Sequence, residues 1–200
     1  SDWRLSQHPI IHISYTFGPY ISILITCWAL FQILASYVSP RFLSKRAKAL
    51  FILFSMLAAV VLVNGVMKES WKRPRPREIH EFQGNHDFKK VLVFGQSQFR
   101  GQSFPSGHAS SGFILVLIYF LLKKTKPKLA IFALGSTILW GSWLGLIRIV
   151  AGGHFASDIL WAFGITWYLV MILYYMWFLP YQKKLSKRRP FKFSTARVVV

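Results

Sequence analysis

Two histidines and one acid are the residues best suited to chemistry in this chain. His108 and His154 are the only histidines after residue 87, and Asp158 is the only carboxylate there. Residues four apart on a helix share a face, so we expect Asp158 to hydrogen-bond the ring of His154. A histidine held by an acid is a candidate nucleophile or base. A structural alternative is an ion pair between Asp158 and Arg148.

Basic residues occur in two places, directly before His154 and in a separate segment earlier in the chain. Arg148 comes six residues before His154, and Lys68 and Arg75 lie in a segment that ends Arg-Pro-Arg-Pro. The prolines are expected to end the preceding helix and to hold Arg75 in extended backbone. Because a guanidinium group can bind two phosphate oxygens at once, these cations predict an anion site. A basic loop that touches anionic lipid head groups is the alternative.

A third short segment, Pro-Ser106-Gly107-His108, directly precedes an apolar stretch. Ser106 is a favoured N-cap residue, and Gly107 allows the backbone to approach a ligand closely. The free N–H groups at a helix start attract anions, and His108 would stand beside them as a proton donor. The alternative is an ordinary capped helix start with an interfacial histidine.

Together the three segments predict a phosphoryl-transfer site that works without a metal. No acidic cluster is suited to magnesium, and no His/Cys set has the spacing of a zinc site. We therefore expect no cofactor.

Composition indicates an integral membrane protein with a single domain covering residues 1–200. The chain is 54% hydrophobic, yet it carries 25 Lys+Arg against 6 Asp+Glu, for a net charge of +19. Apolar spans flanked by cations reconcile the two values. Nucleic-acid binding is not expected, because the cations flank apolar segments and form no basic–aromatic groove. No obligate protein partner is indicated.

The predicted fold is an all-α, polytopic membrane helix bundle. Five apolar segments approach the roughly 20 residues that a bilayer core requires. They are residues 17–38, 49–67, 109–122, 129–147 and 155–179, the last ended by Pro180. An additional N-terminal span would make six.

The charged connections predict which side each end faces. The first connection carries Arg41, Lys45, Arg46 and Lys48, the third four lysines, and residues 181–200 form a basic tail. These ends are expected on the cytoplasmic side. The loop of residues 68–106 and the segment 148–154 then share the opposite face. Residues 1–16 are expected to form an interfacial segment.

The motifs Lys68-x6-Arg75-Pro, Pro-Ser106-Gly107-His108 and Arg148-x5-His154-x3-Asp158 resemble the three-part signature of the type 2 phosphatidic acid phosphatase superfamily. The resemblance extends from Lys68 to the end of the fifth span. One departure is Ile147, where the family often has serine. That family usually has six spans.

The resemblance implies a role for each residue of the signature. His154 would be the nucleophile that becomes phosphohistidine, Asp158 would hold its ring, and His108 would protonate the leaving group and then activate water. The phosphate oxygens would be bound by Lys68, Arg75, Arg148, Ser106 and the N–H of Gly107.

The lipid substrate is predicted less sharply than the chemistry. Residues around the signature are most similar to bacterial lipid A phosphatases that act at the outer face of the inner membrane. Further cations, among them Lys72, Arg73, Arg77, Lys89, Lys90 and Arg100, would suit a head group with more than one phosphate. Undecaprenyl pyrophosphate, phosphatidylglycerol phosphate, a phosphotransferase reaction and a non-enzymatic anionic-lipid carrier remain alternatives.

Overall fold

The computed structural model of the protein describes Trp3, residues 8–91, Val93 and residues 101–188. Arg100, most of residues 1–7 and the tail from residue 189 onward lie outside the described residues, so the predictions made for them carry no structural outcome. Within the described part the regular structure is helical, and the β pairing is one isolated bridge between Ile79 and His86. The predicted all-α class is confirmed.

The helices follow one another along the chain with short connections, except for the loop after residue 71. In order they are α1 (Pro9–Phe17), α2 (Tyr20–Val38), α3 (Pro40–Val60), a π-helical turn (Val61–Met67), α4 (Lys68–Trp71), α5 (Gly107–Phe113), α6 (Val116–Leu122), α7 (Pro127–Val150), α8 (Ala156–Ile172), a second π-helical turn (Leu173–Phe178) and α9 (Leu179–Arg188). Two 3₁₀ turns, Pro76–Glu78 and His80–Phe82, lie in the long loop.

Four helical stretches are long and apolar enough to cross a membrane, and the pair α5–α6 forms a shorter fifth. The four are residues 9–38, 40–78, 127–150 and 156–185. These stretches contain the five predicted spans, including the short third one. Large apolar side chains are exposed along them, for example Leu139, Leu160 and Met176. Such exposure is expected of surfaces that face lipid.

The helix that contains the second span begins at Pro40, nine residues before the apolar segment predicted from Ala49. The basic residues assigned to the first connection therefore lie inside the first turns of α3. Pro40 occupies the first turn of the helix, where a missing N–H costs nothing, and it follows an extended Ser39. Lysine and arginine are also good helix formers.

Pro180 does not end the fifth span, contrary to the prediction. The helix passes through it and continues as α9. The π-helical turn just before it changes the hydrogen bonding, with the N–H of Leu179 bonded to the carbonyl of Tyr174. A proline interrupts a helix by removing one N–H and crowding a carbonyl four residues back. The wider π-helical turn relieves that crowding.

Two glycines set the distance between α5 and α7. A Cβ atom placed on Gly112 would lie 2.6 Å from the Cα of Gly141. Small residues of this kind allow membrane helices to approach closely. Close approach matters because the hydrophobic effect does not drive helices together in lipid, so their association depends on van der Waals contact. The contact holds the N-terminal end of α5, with His108, beside the C-terminal end of α7, with Arg148.

Candidate active site

His154 lies between α7 and α8 and is 3% exposed. Its Nδ1 atom lies 2.5 Å from the carbonyl oxygen of Ser103. A carbonyl oxygen can only accept, so Nδ1 carries the hydrogen and Nε2 keeps its lone pair. Burial lowers the pKa of His154 below its ordinary value, although the nearby Asp158 opposes this shift. Burial therefore favours the neutral ring, in which Nε2 carries a lone pair.

Asp158 does not hydrogen-bond the ring of His154, contrary to the prediction. Its Oδ2 atom is 3.8 Å from Nδ1 of His154, which exceeds hydrogen-bond distance. The same oxygen accepts hydrogen bonds from the Ser103 hydroxyl at 2.6 Å and from the Phe155 N–H at 2.9 Å. The helical spacing did bring the two residues together, but each hydrogen-bonds Ser103 instead of the other. The Ser103 hydroxyl donates to Asp158, and the Ser103 carbonyl accepts from His154.

Arg73 is the ionic partner of Asp158. Its Nη1 atom lies 2.5 Å from Oδ1 of Asp158, and the two side chains are 3% and 0% exposed. The guanidinium group also donates to the Lys89 carbonyl oxygen at 2.8 Å and to the Ser157 hydroxyl at 2.9 Å. The alternative pairing of Asp158 with Arg148 is therefore not observed. The use predicted for Arg73 was also wrong, because this cation is enclosed and neutralised and does not face a head group.

Lys68, Arg75 and Arg148 remain as the cations that face one another at this end of the bundle. They lie near enough for their charges to interact. The Lys68 ammonium group would lie 3.4 Å from a Cβ placed on Gly107, and the Arg148 guanidinium group covers Gly153. Arg75 lies 3.9 Å from Glu78, the one carboxylate paired with it among the described residues.

Two of these cations carry buried donors that no described residue satisfies. The Nε atoms of Arg75 and Arg148 are both buried and lack a hydrogen-bond partner in the described part of the chain. Buried donors are rarely left unpaired, because their desolvation is costly. Together with the excess of positive charge, the unpaired donors indicate that this end of the bundle is built for an anion.

The start of α5 has the predicted N-cap. Ser106 is fully buried, and its hydroxyl oxygen accepts from the N–H of Ala109 at 3.4 Å. His108 stands in the first turn and is partly exposed. Arg148 and His154 both lie close enough to interact electrostatically with His108, so both histidines belong to one site.

Tyr15, on α1, was not predicted as part of the site. Its ring stacks on the ring of His108, with centroids 4.6 Å apart and an angle of 16°. The Arg148 guanidinium carbon lies 4.8 Å from the centroid of the same ring. Trp143 secures this part of α1 by donating to the hydroxyl of Ser14 at 3.1 Å. Residues 1–16 were expected to form an interfacial segment, and nothing in their sequence marks Tyr15.

A mainly apolar cavity of about 500 Å³ opens beside the cationic cluster. Lys68, Gly107 and His108 lie at one part of its lining. The remainder comes mainly from α2, α3, the following π-helical turn and the C-terminal end of α5, and it includes Cys27, Met56 and Ile114. Cavities of this size accommodate part of a large apolar ligand. The cavity thus connects the cationic cluster to an apolar space.

These features define a class, the membrane-embedded enzymes of phosphoryl transfer. A profile of the PAP2 superfamily matches residues 48–181, about two thirds of the chain. The chain belongs to the PAP2 superfamily and is a phosphoric monoester hydrolase. The resemblance drawn from the three motifs is thereby confirmed.

Similar proteins of known activity come from two bacterial genera. The chain is 33% identical over 165 residues to a lipid A 4′-phosphatase of Francisella tularensis subsp. novicida, which covers 79% of this chain and 73% of that protein. It is 28% identical over 144 residues to a lipid A 4′-phosphatase of Rhizobium leguminosarum, covering 70% of this chain and 60% of that protein.

A protein named for the other phosphate of lipid A is also similar. The chain is 29% identical over 149 residues to a lipid A 1-phosphatase of Rhizobium johnstonii, covering 70% of this chain and 56% of that protein. The chain thus spans three fifths or less of these Rhizobium relatives. No solved structure matches the chain significantly.

Proposed function

We propose that this protein is a metal-independent lipid phosphatase that removes a phosphate from lipid A through a phosphohistidine intermediate. The observation that carries the proposal is a buried His154, oriented by the Ser103 carbonyl, beside three cations of which two, Arg75 and Arg148, have buried donors without a partner among the described residues. The relatives named as lipid A phosphatases support the choice of lipid.

In the first step, Nε2 of His154 attacks phosphorus while the bond from phosphorus to the lipid oxygen breaks. The negative charge of the bound phosphate favours the imidazolium form of His108, which gives its proton to that oxygen, so the lipid leaves as an alcohol. Lys68, Arg75 and Arg148 neutralise the charge that spreads over the phosphate oxygens. Fixed donors of this kind usually supply the largest share of the rate enhancement.

In the second step, His108 removes a proton from water, and the resulting oxygen attacks the phosphorus of phosphohistidine. The nitrogen–phosphorus bond breaks, inorganic phosphate is released, and His154 returns to its starting form. Asp158 steadies the positive charge that develops on the ring of His154. Its own charge is balanced by Arg73, so it is not free to bind a metal.

The cavity supports a lipid as the substrate. A phosphate held by Lys68 and by the first turn of α5 would direct the rest of its molecule toward the apolar lining between α2 and α3. Lipid A carries acyl chains that match such a lining. The relatives named for the 4′ position and for the 1 position leave both phosphates to be tested.

We further propose that the protein resides in the bacterial inner membrane with the site on the periplasmic face. The cations of α3 near Pro40, the lysines after α6 and those of α9 lie at helix ends away from the site. By the positive-inside rule they belong to the cytoplasm. The lipid A that such a site meets is then the form carried in the outer leaflet.

The test is phosphate release in detergent from lipid A, undecaprenyl pyrophosphate and phosphatidylglycerol phosphate, with a chelator present. We expect lipid A to be the best substrate, and mass spectrometry of the product to identify the phosphate removed. His154→Ala should abolish turnover, and Arg148→Ala should reduce kcat by about 10²–10³. Thr137→Ala, a buried polar change in α7, is the matched control and should retain activity.

Three results would contradict the proposal. Full activity of the His154→Ala protein would exclude the mechanism, and loss of activity with the chelator would exclude metal independence. Faster turnover of undecaprenyl pyrophosphate or phosphatidylglycerol phosphate would reassign the substrate. An acid-labile, base-stable phosphoprotein trapped by rapid quenching would support the intermediate directly.

A further inference from the structure

Ser103 occupies the centre of the hydrogen-bond network around His154. Its carbonyl oxygen receives the hydrogen of His154 Nδ1, and its hydroxyl donates to Oδ2 of Asp158. Its own N–H donates to the Arg73 carbonyl oxygen at 3.0 Å. The residue is completely buried. All three polar groups of Ser103 thus connect the proposed nucleophile, its acid and the acid's counter-ion.

We propose that Ser103 and Arg73 are positioning residues for His154, and that Asp158 acts on His154 through Ser103 and not by direct contact. The inference rests on the proposed role of His154 as nucleophile. Neither residue touches the phosphate. Arg73 fixes one carboxylate oxygen, Ser103 fixes the other, and the Ser103 carbonyl selects the tautomer of the ring.

The distances support this order of contacts. The hydroxyl of Ser103 lies 2.6 Å from Asp158, whereas the ring of His154 lies 3.8 Å from the same carboxylate oxygen. That oxygen already accepts a second hydrogen bond, from the N–H of Phe155 at 2.9 Å. Since both donors are closer than the imidazole, the carboxylate holds Ser103 and the start of α8, and these in turn hold the ring.

A double-mutant cycle on Ser103 and Asp158 tests the connection. Purified wild type, Ser103→Ala, Asp158→Asn and the double variant are compared for kcat and KM on lipid A, at a temperature where all four are folded. Ser103→Ala should lower kcat by about tenfold to 10²-fold, as expected for losing a hydrogen bond to a charged group, with KM changed less than about twofold. If Asp158 acts through Ser103, the double variant should be no slower than the slower single variant.

The pH dependence of kcat gives a second readout, which a merely structural role would not move. The charged and titratable groups facing His154 are Asp158 on α8, Arg148 on α7 and His108 on α5. Loss of the Ser103 hydroxyl leaves more negative charge on the carboxylate, which raises the pKa of His154. The acidic limb of the profile should therefore move to higher pH in Ser103→Ala, and it should move to lower pH in Asp158→Asn.

Ser55→Ala is the matched control, because Ser55 is also fully buried and its hydroxyl has no hydrogen-bond partner among the described residues. It should keep the kcat and pH profile of the wild type. Losses that multiply in the double variant would overturn the proposal, as would an unmoved acidic limb in Ser103→Ala. Both of these outcomes are measured on an active wild-type enzyme. They therefore differ from failure of the proposed function, in which the His154→Ala protein would keep its activity.

Discussion

Arg73 and Asp158 form a buried ion pair, and we expect the loss of either member alone to lower stability much more than the loss of both together. Both side chains are almost completely enclosed, and no other carboxylate contacts Arg73 in the described part of the chain. Asp158→Asn leaves the Arg73 cation without a counter-charge, and Arg73→Met leaves the carboxylate without one. Breaking such a pair costs about 3–5 kcal/mol of stability. For about 200 residues, each kcal/mol lowers Tm by about 2–4 °C, so each single change should cost about 6–20 °C.

The double variant Arg73→Met/Asp158→Asn removes both charges and keeps the approximate side-chain volumes. Replacing a buried pair in this way is often close to neutral, so its Tm should recover most of the loss. Thermal unfolding in detergent measures all three proteins. Arg77→Met is the control, because Arg77 is exposed in the same loop and should stay within about 0.5 kcal/mol. A double variant that melts as low as either single one would refute the reasoning, and so would single variants with the Tm of the wild type.

Three other changes test separate parts of the structure. Tyr15→Ala should lower kcat/KM by about fivefold to thirtyfold, because the ring-stacking and cation–π contacts contribute about 1 kcal/mol each. Tyr15→Phe should stay close to wild type, and equal losses in the two variants would exclude ring contacts as the cause. Cys27, the single cysteine, lines the cavity. Lipid A should therefore slow the labelling of Cys27 by an apolar maleimide, whereas inorganic phosphate should not. Equal labelling rates with and without lipid A would exclude lipid from the cavity. Gly112→Val should lower Tm strongly, because the new Cβ would meet the backbone of α7. Gly135→Ala should leave Tm unchanged, because no atom lies within 4 Å of a Cβ placed there. Similar Tm values for the two variants would contradict the glycine contact.

The sequence predicted the membrane helices and the three motifs because their signals are local. Apolar length identifies a span, and Ser106 before a glycine and an apolar run identifies a helix start. The spacing of His154 and Asp158 likewise correctly predicted that they would be neighbours. Apolar length does not show where a helix begins, so the span predicted from Ala49 did not reveal that α3 starts nine residues earlier, at Pro40.

The partners of Asp158 could not be found in this way because they lie far away along the chain. Arg73 is 85 residues from Asp158, and Ser103 is 55 residues away. One signal was available: a lone acid among apolar residues requires a counter-charge. The ion pair considered from the sequence was the one between Asp158 and Arg148. In polyproline-like backbone, residues two apart point about 120° away from each other, so Arg73 and Arg75 can face different surroundings.

The apolar cavity beside Lys68 has a consequence for how rates must be expressed. A substrate whose acyl chains stay in the membrane reaches the enzyme by lateral diffusion. The concentration that sets the rate is then the mole fraction of substrate in the surrounding lipid or detergent. Doubling the detergent at a fixed amount of lipid A should then slow turnover, although the molar concentration is unchanged. Velocities should fall on one curve only when plotted against mole fraction in the micelle, and a kcat/KM in molar units would describe the detergent as much as the enzyme.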